Sequence, residues 1–166
     1  MNPELVIRKS TEADIPAIRQ IAHATWPVAY GAILSKDQLV YMLEWMYSEK
    51  ALLEQMHTGH RFYMAELEGK SFGFASVSAA GNDTFKLNKL YVTPDIQKTG
   101  AGKALLQEVI GYAKENGGNR LLLQVNRDNN AKGFYEKHGF IILEEIDLAI
   151  GNGYFMNDYV MGLDIV

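Results

Sequence analysis

A stretch with two glycines and a glutamine has the spacing of an anion-binding loop. Residues 87–102 include Gln97, Gly100 and Gly102 in the order Gln-x-x-Gly-x-Gly. An apolar run comes before this loop and a helical pattern follows it over residues 103–115, so the predicted order is strand, loop and helix. The first N–H groups of a helix lack partners and carry partial positive charge, and glycine lets the backbone approach a ligand closely. The stretch is therefore predicted to bind an anion.

The sequence does not match two common phosphate-binding motifs, because the residues that they require are missing at the defined positions. A dinucleotide-binding loop would need glycine where Leu105 stands. A nucleoside-triphosphate loop would need glycine at Gln97 and serine or threonine at Ala104. What remains is the glutamine–glycine pattern itself, or a glycine turn that binds nothing.

A second motif lies downstream of the first. Residues 129–140 read Asn-Asn-Ala-Lys-Gly-Phe-Tyr-Glu-Lys-His-Gly-Phe, with Tyr135 on a short predicted helix that ends at Gly139. A helix and a strand are predicted between the two motifs, over residues 103–115 and 121–125.

Together the two motifs resemble the signatures of the GCN5-related N-acetyltransferases (GNAT), and the resemblance covers the chain from about Ile7 onward. It implies an α+β fold, layered α/β/α, with a mixed, mostly antiparallel sheet of about seven strands and helices on both faces. It also implies acetyl-CoA as co-substrate and an N-acetyltransferase activity. The implied cofactor contacts are Leu90, Tyr91, Val92, Gln97, Lys98, Thr99, Gly100, Ala101, Gly102, Lys103 and Asn129.

The resemblance gives these residues different roles. Main-chain amides of residues 97–102 would bind the pyrophosphate, and residues 90–92 would pair with the pantetheine arm as if it were an added strand. This pairing requires the strand that contains residues 90–92 to separate from the strand over 121–125. The asparagine of the second motif is assigned to Asn129, with Asp128 and Asn130 as alternatives.

Tyr135 is the implied catalytic residue, because in this family the matching tyrosine protonates the departing coenzyme A thiolate. A phenol with a pKa near 10 can protonate a thiolate whose thiol has a pKa near 8.5. The alternative is that Tyr135 is an aromatic core residue without a catalytic role. The general base stays open among Glu66, Tyr91, Asp158 and an ordered water.

The remaining elements follow from periodicity and from capping and turn residues. Thr11 and Asp14 resemble a capping box, Ser35 and Ser48 are candidate N-caps, and residues 26–31 are predicted as a break between helices. The predicted helices cover 13–24, a segment after Ser35, 49–57, 103–115 and 131–138. The predicted strands cover 5–8, 61–67, 71–79, 85–92, 121–125, 140–149 and 154–166.

The acceptor is predicted to be a small cationic amine, such as a polyamine. The chain carries 20 acidic and 16 basic residues, a net charge of −4 that attracts cations. Candidate substrate residues are Trp26, Tyr30, Glu44 and Asp158, although the aromatic residues also suit core packing. Residues 33–35 and 157–161 loosely resemble bacterial polyamine acetyltransferases. The alternatives are acetylation of a protein N-terminus or lysine, and a non-catalytic acyl-CoA-binding regulator.

Length and composition set the outer limits. With 166 residues, 48% apolar and 22% charged, the chain is expected to form one domain over residues 1–166. The absence of cysteine excludes disulfides and favours a cytoplasmic protein, and no apolar run reaches the roughly 20 residues of a membrane span. We expect no metal, no nucleic acid and no membrane as partners. A homodimer is possible.

Overall fold

The computed structural model describes residues 4–165, with the side chains of Gln97 and Lys98 left out. Within residues 4–165, seven strands form one sheet and five α-helices accompany it. The strands are β1 (Leu5–Lys9), β2 (Arg61–Leu67), β3 (Lys70–Ala79), β4 (Thr84–Val92), β5 (Arg120–Asn126), β6 (Ile141–Gly151) and β7 (Tyr154–Asp164). The helices are α1 (Ile15–Tyr30), α2 (Lys36–Tyr47), α3 (Glu49–His57), α4 (Ala101–Glu115) and α5 (Ala131–Lys137).

The sheet has the strand order β1-β2-β3-β4-β5-β7-β6. Neighbouring strands are antiparallel except β4 and β5, which are parallel. Their pairing begins at Thr84 with Arg120 and ends at Leu87 with Leu123, although both strands continue. The required separation of these two strands is therefore present, and it opens the middle of the sheet.

Helices cover both faces of the sheet. Successive side chains of a strand point to opposite faces, so apolar residues at both sets of positions can pack against helices on both sides. On β2, Phe62 and Met64 pack with α1 to α3, whereas Tyr63 and Ala65 pack toward α4. Each face has its own buried cluster, and the predicted α+β fold with about seven strands is confirmed.

The predicted break over residues 26–31 is wrong, because α1 continues to Tyr30 and includes Pro27. Proline removes one helical N–H donor and usually costs about 3 kcal/mol inside a helix. Trp26 and Tyr30 lie on either side of this proline and are both buried, and their rings make a tilted contact with centroids 4.7 Å apart. Burial of this aromatic pair offsets the local backbone preference.

The loop before α4 is also more ordered than predicted. Residues Pro94–Thr99 form a 3-10 turn, and α4 begins at Ala101 instead of Lys103. Gly102 therefore belongs to the first turn of the helix, while Gly100 is its N-cap.

Strand β4 contains a bulge that changes which residues face each side. Leu87 pairs with Val77 and Lys89 pairs with Ser76, so Asn88 is one extra residue on β4. Such an insertion shifts the alternation of side chains by one position. Asn88 and Lys89, although adjacent in sequence, therefore point toward the same side.

The last two strands form the predicted hairpin. Asn152 and Gly153 occupy the turn with φ of 56° and 78°, the positive values that Asn-Gly adopts easily. The predicted strand end at Val166 lies outside the described residues. Strand β6 is at the sheet edge, and Ile141, Ile142 and Leu148 on it are exposed. None of the helices within residues 4–165 is long and apolar enough to cross a membrane.

Candidate active site

The separation of β4 from β5 leaves two cavities that meet at Tyr91. The larger has a volume of about 600 Å³, and the smaller about 320 Å³. Tyr91 lines both of them and is partly buried, with its ring centroid 5.8 Å from that of Trp26 and 5.9 Å from that of Phe74. The two cavities therefore share this side chain on β4, which has left β5 at this point.

The larger cavity brings together residues that the two sequence motifs predicted. It lies between β4, the start of α4, the loop before α5 and the side of α1. Of the predicted cofactor contacts, those that line it are Leu90, Tyr91, Val92, Gly102 and Asn129. Tyr135 lines the same cavity, and so do both alternatives for the asparagine, Asp128 and Asn130.

The other predicted cofactor contacts lie at the N-terminus of α4. Gly100 has a φ of 84°, a left-handed conformation that glycine adopts without a steric cost. Thr99 and Lys103 are exposed, while Ala101 is buried against the core. The predicted contacts of the Gln97 and Lys98 side chains lie outside what the structure describes. The first amides of α4 still provide a positive helix end beside Gly102.

Tyr135 is buried within α5 and flanked by aromatic rings. Its ring centroid lies 5.3 Å from that of Phe134 and 5.6 Å from that of Phe140. Burial raises the pKa of the Tyr135 phenol, and the nearby Tyr30 adds to this shift. Within the described part of the chain, its hydroxyl has no hydrogen-bond partner. The phenol therefore stays protonated and can donate into the larger cavity.

Asn129 and Tyr30 connect the loop before α5 to the junction of the cavities. The Asn129 side-chain oxygen accepts a hydrogen bond from Ala131 N at 2.9 Å, which forms an Asx turn just before α5. Its amide donates to the Tyr30 hydroxyl at 3.3 Å, and that hydroxyl lies 3.0 Å from the hydroxyl of Tyr91. The predicted substrate residue Tyr30 is thus tied to a predicted cofactor residue.

The smaller cavity contains three of the four predicted substrate residues. Trp26, Tyr30 and Asp158 line it, together with apolar side chains from α2 and from the hairpin of β6 and β7. Glu44 is exposed on α2 and does not contribute to the lining. Glu66, one of the open candidates for the general base, is bound to Arg8 at 3.0 Å on β2, also away from both cavities.

Asp158 is the carboxylate of the smaller cavity. It lies on β7 opposite Asn126 and is 2% exposed. Burial raises its pKa to about 6, and the positive charges of Arg127 and Lys86 oppose part of that shift. A carboxylate with a pKa near neutrality is suited to remove a proton from an amine.

The sequence reading did not find the basic residues of this cavity. Lys86 donates to the Gln124 side chain at 3.3 Å, and Lys89 lies over the Tyr47 ring with Nζ at 5.0 Å from its centroid. Burial lowers the pKa of Lys89 to about 8, with a further contribution from Lys86. The pKa of His60 is lowered by burial and by both lysines. The polar pair Asn88-Lys89, which interrupts alternation on β4, was the available signal.

Among residues 4–165, no group of three or more histidine, aspartate and glutamate side chains is arranged to hold a metal ion.

Comparison with known proteins identifies the family to which the chain belongs. The family model for the Acetyltransferase (GNAT) domain matches residues 34–151, which is more than half of the chain. The chain therefore belongs to the GNAT family of acetyltransferases.

Two relatives illustrate the range of similarity. An uncharacterized N-acetyltransferase of Mycobacterium tuberculosis is 29% identical over 158 residues, which cover 94% of this chain and 99% of that protein. The spermidine N(1)-acetyltransferase of Thermoplasma acidophilum is 27% identical over 140 residues, which cover 81% of this chain and 86% of the relative.

Solved structures share the fold at lower identity. The PaiA N-acetyltransferase from Thermoplasma acidophilum, solved in complex with coenzyme A, has a TM-score of 0.84 with 24% identity and covers 97% of this chain and 99% of its own. The ribosomal-protein-S18-alanine N-acetyltransferase from Escherichia coli has a TM-score of 0.74 with 23% identity, covering 98% and 94%.

Proposed function

We propose that the protein transfers the acetyl group of acetyl-CoA to the primary amine of a small molecule. The observation that carries the proposal is the pair of cavities that meet at Tyr91 in the gap between β4 and β5. One cavity has the residues expected to hold a thioester, and the other has a buried carboxylate suited to an amine.

The larger cavity would hold acetyl-CoA. Support comes from its size, from the divergence of β4 and β5 after Leu87, and from the start of α4 beside Gly102. Backbone groups of residues 90–92 can pair with an extended ligand, and the amides at the start of α4 suit its pyrophosphate. The coenzyme supplies an activated acetyl group, and the residues described here orient it toward the gap.

The smaller cavity would hold the amine, with Asp158 as the group that receives a proton. An alkylammonium with a pKa near 10 must lose a proton before its nitrogen can form the new C–N bond. Support for Asp158 comes from its burial, from its raised pKa of about 6 and from its position in the lining. Of the open candidates for the base, it is the carboxylate that lies in the cavity.

Tyr135 would protonate the thiolate when the C–S bond breaks. Support comes from its place in the larger cavity and from a hydroxyl that has no partner within the described residues. Its raised pKa keeps the phenol protonated at neutral pH. Proton transfer by such a positioned group usually contributes about 10²–10⁴-fold to the rate.

A polyamine is the second candidate acceptor. The observation in its favour is the similarity to the spermidine N(1)-acetyltransferase of Thermoplasma acidophilum, at 27% identity. The net charge of −4 adds a general attraction for cations. Glu44, which is exposed and outside the cavity lining, adds no support for this candidate.

The test is release of free coenzyme A from acetyl-CoA with a panel of primary amines, spermidine and short peptides. We expect at least one small amine to accelerate release well above the rate without an acceptor. A reaction without amine corrects for thioester hydrolysis. Binding of acetyl-CoA without acceleration by any amine or peptide would contradict the proposal and favour a non-catalytic acyl-CoA-binding protein.

A further inference from the structure

The smaller cavity contains two buried side chains of opposite charge. Lys89 is 7% exposed and Asp158 is 2% exposed, and both contribute to the lining. Within residues 4–165, neither side chain takes part in a hydrogen bond or an ion pair. The Lys89 ammonium lies over the face of the Tyr47 ring, with Nζ 5.0 Å from the ring centroid.

Such an arrangement is costly unless a ligand completes it. A charge that is removed from bulk water and has no ionic partner destabilises a fold, because the protein replaces its hydration shell poorly. The backbone nevertheless directs Lys89 into the cavity, because the extra residue Asn88 reverses the alternation of β4. Without this bulge, Lys89 would point toward the α4 side of the sheet.

We propose that the acceptor is an amino-carboxylate, with its amine beside Asp158 and its carboxylate beside Lys89. The inference rests on the proposed function and specifies the substrate class of the same cavity. A carboxylate beside the Lys89 ammonium would form a charge-assisted hydrogen bond in a site shielded from water. The reactive nitrogen would stay on the Asp158 side.

The other charges of the cavity favour this class over a polyamine. Among the described residues that line it, Lys86 and Lys89 are the cationic side chains and Asp158 is the carboxylate, while His60 is kept neutral by burial and by both lysines. A second ammonium on the substrate would therefore meet like charges. A neutral amine would leave Lys89 without a partner. The lowered pKa of Lys89 is what burial without a counter-ion produces, and a bound carboxylate would raise it.

The kinetic test compares acceptors that differ only at the end remote from the amine. Each ω-amino acid from β-alanine to ε-aminocaproate is assayed beside its carboxamide and beside the diamine of the same spacer length. We expect the amino acid of the best length to exceed both matched compounds at least tenfold in kcat/KM. A carboxamide or diamine that equals or exceeds the amino acid at every length would overturn the inference while leaving the acetyltransferase proposal intact.

A variant identifies the residue responsible. Lys89→Met keeps a long side chain without charge, and it should lower kcat/KM for the amino acid at least tenfold more than kcat/KM for the matched carboxamide. The matched control is Lys114→Met, which removes an exposed lysine from the end of α4. A preference that survives Lys89→Met unchanged would contradict the assignment.

A binding measurement keeps the test independent of turnover and of variants. The wild-type protein is labelled with trace acetic anhydride, and modification of the Lys89 amine is followed by mass spectrometry. The preferred amino acid should slow labelling of Lys89 but not of Lys114, and the matched diamine should not protect either. Equal protection by both ligands, or none, would overturn the inference. If no amine releases coenzyme A in the kinetic assay, the proposed function fails, whereas the labelling result still decides whether Lys89 binds a carboxylate.

Discussion

Tyr135 and Asp158 lie on different elements, and burial raises the pKa of both side chains. For the phenol, the shift maintains the proton at neutral pH. For the carboxyl group, the pKa of about 6 leaves it ionised above that value and protonated below it. At pH 7 one group is therefore a proton donor and the other a proton acceptor, as a transfer between amine and thiolate requires.

Replacement of Tyr135 by phenylalanine removes the donor and keeps the ring. We expect kcat to fall about 10²–10⁴-fold, as is usual for loss of a general acid. The affinity for acetyl-CoA should change less than a few-fold, because the aromatic contacts with Phe134 and Phe140 are kept. Steady-state kinetics and calorimetric titration check both values. Turnover at the wild-type rate would mean that another group or a water protonates the thiolate.

Replacement of Asp158 by asparagine should change the pH profile. In the wild type, kcat/KM should rise about tenfold per pH unit on the acidic side of the profile and level off above a pH of about 6. This acidic limb is expected because the ionised carboxylate is the active form. Asp158→Asn should lower activity at pH 8 and lose this limb. Asp164→Asn, on the exposed end of the same strand, is the control. A limb near pH 6 that persists in Asp158→Asn would assign it to another group.

Lys89 is expected to reduce the stability of the free protein. Its folded pKa of about 8 lies below the unfolded value near 10.5, so the unfolded chain binds more protons between these values and stability rises with pH across that window. Below pH 8 the side chain is charged in the folded protein, and its buried ammonium lowers the free energy of unfolding. Lys89→Met should therefore raise the free energy of unfolding at pH 7, by up to about 3 kcal/mol.

Urea denaturation at pH 7 and pH 10 measures this effect on Lys89. The difference between variant and wild type should be smaller at pH 10, and Lys114→Met should change stability by less than about 0.5 kcal/mol at both values. A Lys89→Met protein no more stable than the wild type at pH 7 would show that burial of this ammonium has little cost.

At the scale of elements, the start of α4 and the bulge of β4 decide what the site contains. The N-terminus of α4 needs a left-handed residue at Gly100, whereas Gly102 has helical geometry and contacts the larger cavity. The bulge at Asn88 determines that Lys89 faces the smaller cavity. These two local features direct residues of one strand–loop–helix unit into two different cavities.

The two glycines should respond differently to alanine. Gly100→Ala should destabilise the fold by about 1–2 kcal/mol, because a Cβ is unfavourable at a φ of 84°. A Cβ on Gly102 would meet the Phe134 ring at 3.6 Å, an ordinary contact, so Gly102→Ala should be tolerated. Thermal denaturation with and without acetyl-CoA separates the effects on folding and binding. Equal losses of stability in both variants would contradict this distinction.

At the scale of the whole molecule, the separated strands β4 and β5 make ligand binding a source of stability. Acetyl-CoA in hundredfold excess over its Kd should stabilise the folded protein by about 2.7 kcal/mol. The measurement is the shift in Tm with increasing acetyl-CoA concentration. Adenosine, which lacks the pyrophosphate and the pantetheine arm, is the ligand control. An unchanged Tm at millimolar acetyl-CoA would contradict the assignment of the larger cavity.

The association of whole chains stays a prediction. Strand β6 is a long edge strand that exposes Ile141, Ile142 and Leu148, a kind of edge that proteins usually protect. Light scattering coupled to gel filtration will show whether the chain forms the homodimer that the sequence leaves open.

Much of the fold follows from local sequence. Alternating strands, the capping serines Ser35 and Ser48 and the Asn152-Gly153 turn each depend on neighbouring residues, and the structure contains all of them. Six of the site residues that the two GNAT motifs predicted line the larger cavity: Leu90, Tyr91, Val92, Gly102, Asn129 and Tyr135. Each motif lies within one local unit of the chain, a strand, loop and helix for the first motif and a loop and helix for the second, so the spacing of its residues is fixed. Local spacing of this kind is visible in the order of residues.

Contacts between distant elements decided the rest. Helix α1 continues through Pro27 because Trp26 and Tyr30 are buried against the sheet, which outweighs the local preference of proline. Lys89 faces the smaller cavity because β3 pairs with β4 across a bulge, and Asp158 joins it because β7 lies next to β5. The charged side chains of this cavity come from strands that are neighbours only after the sheet assembles, so the order of residues alone could not bring Lys89 and Asp158 together.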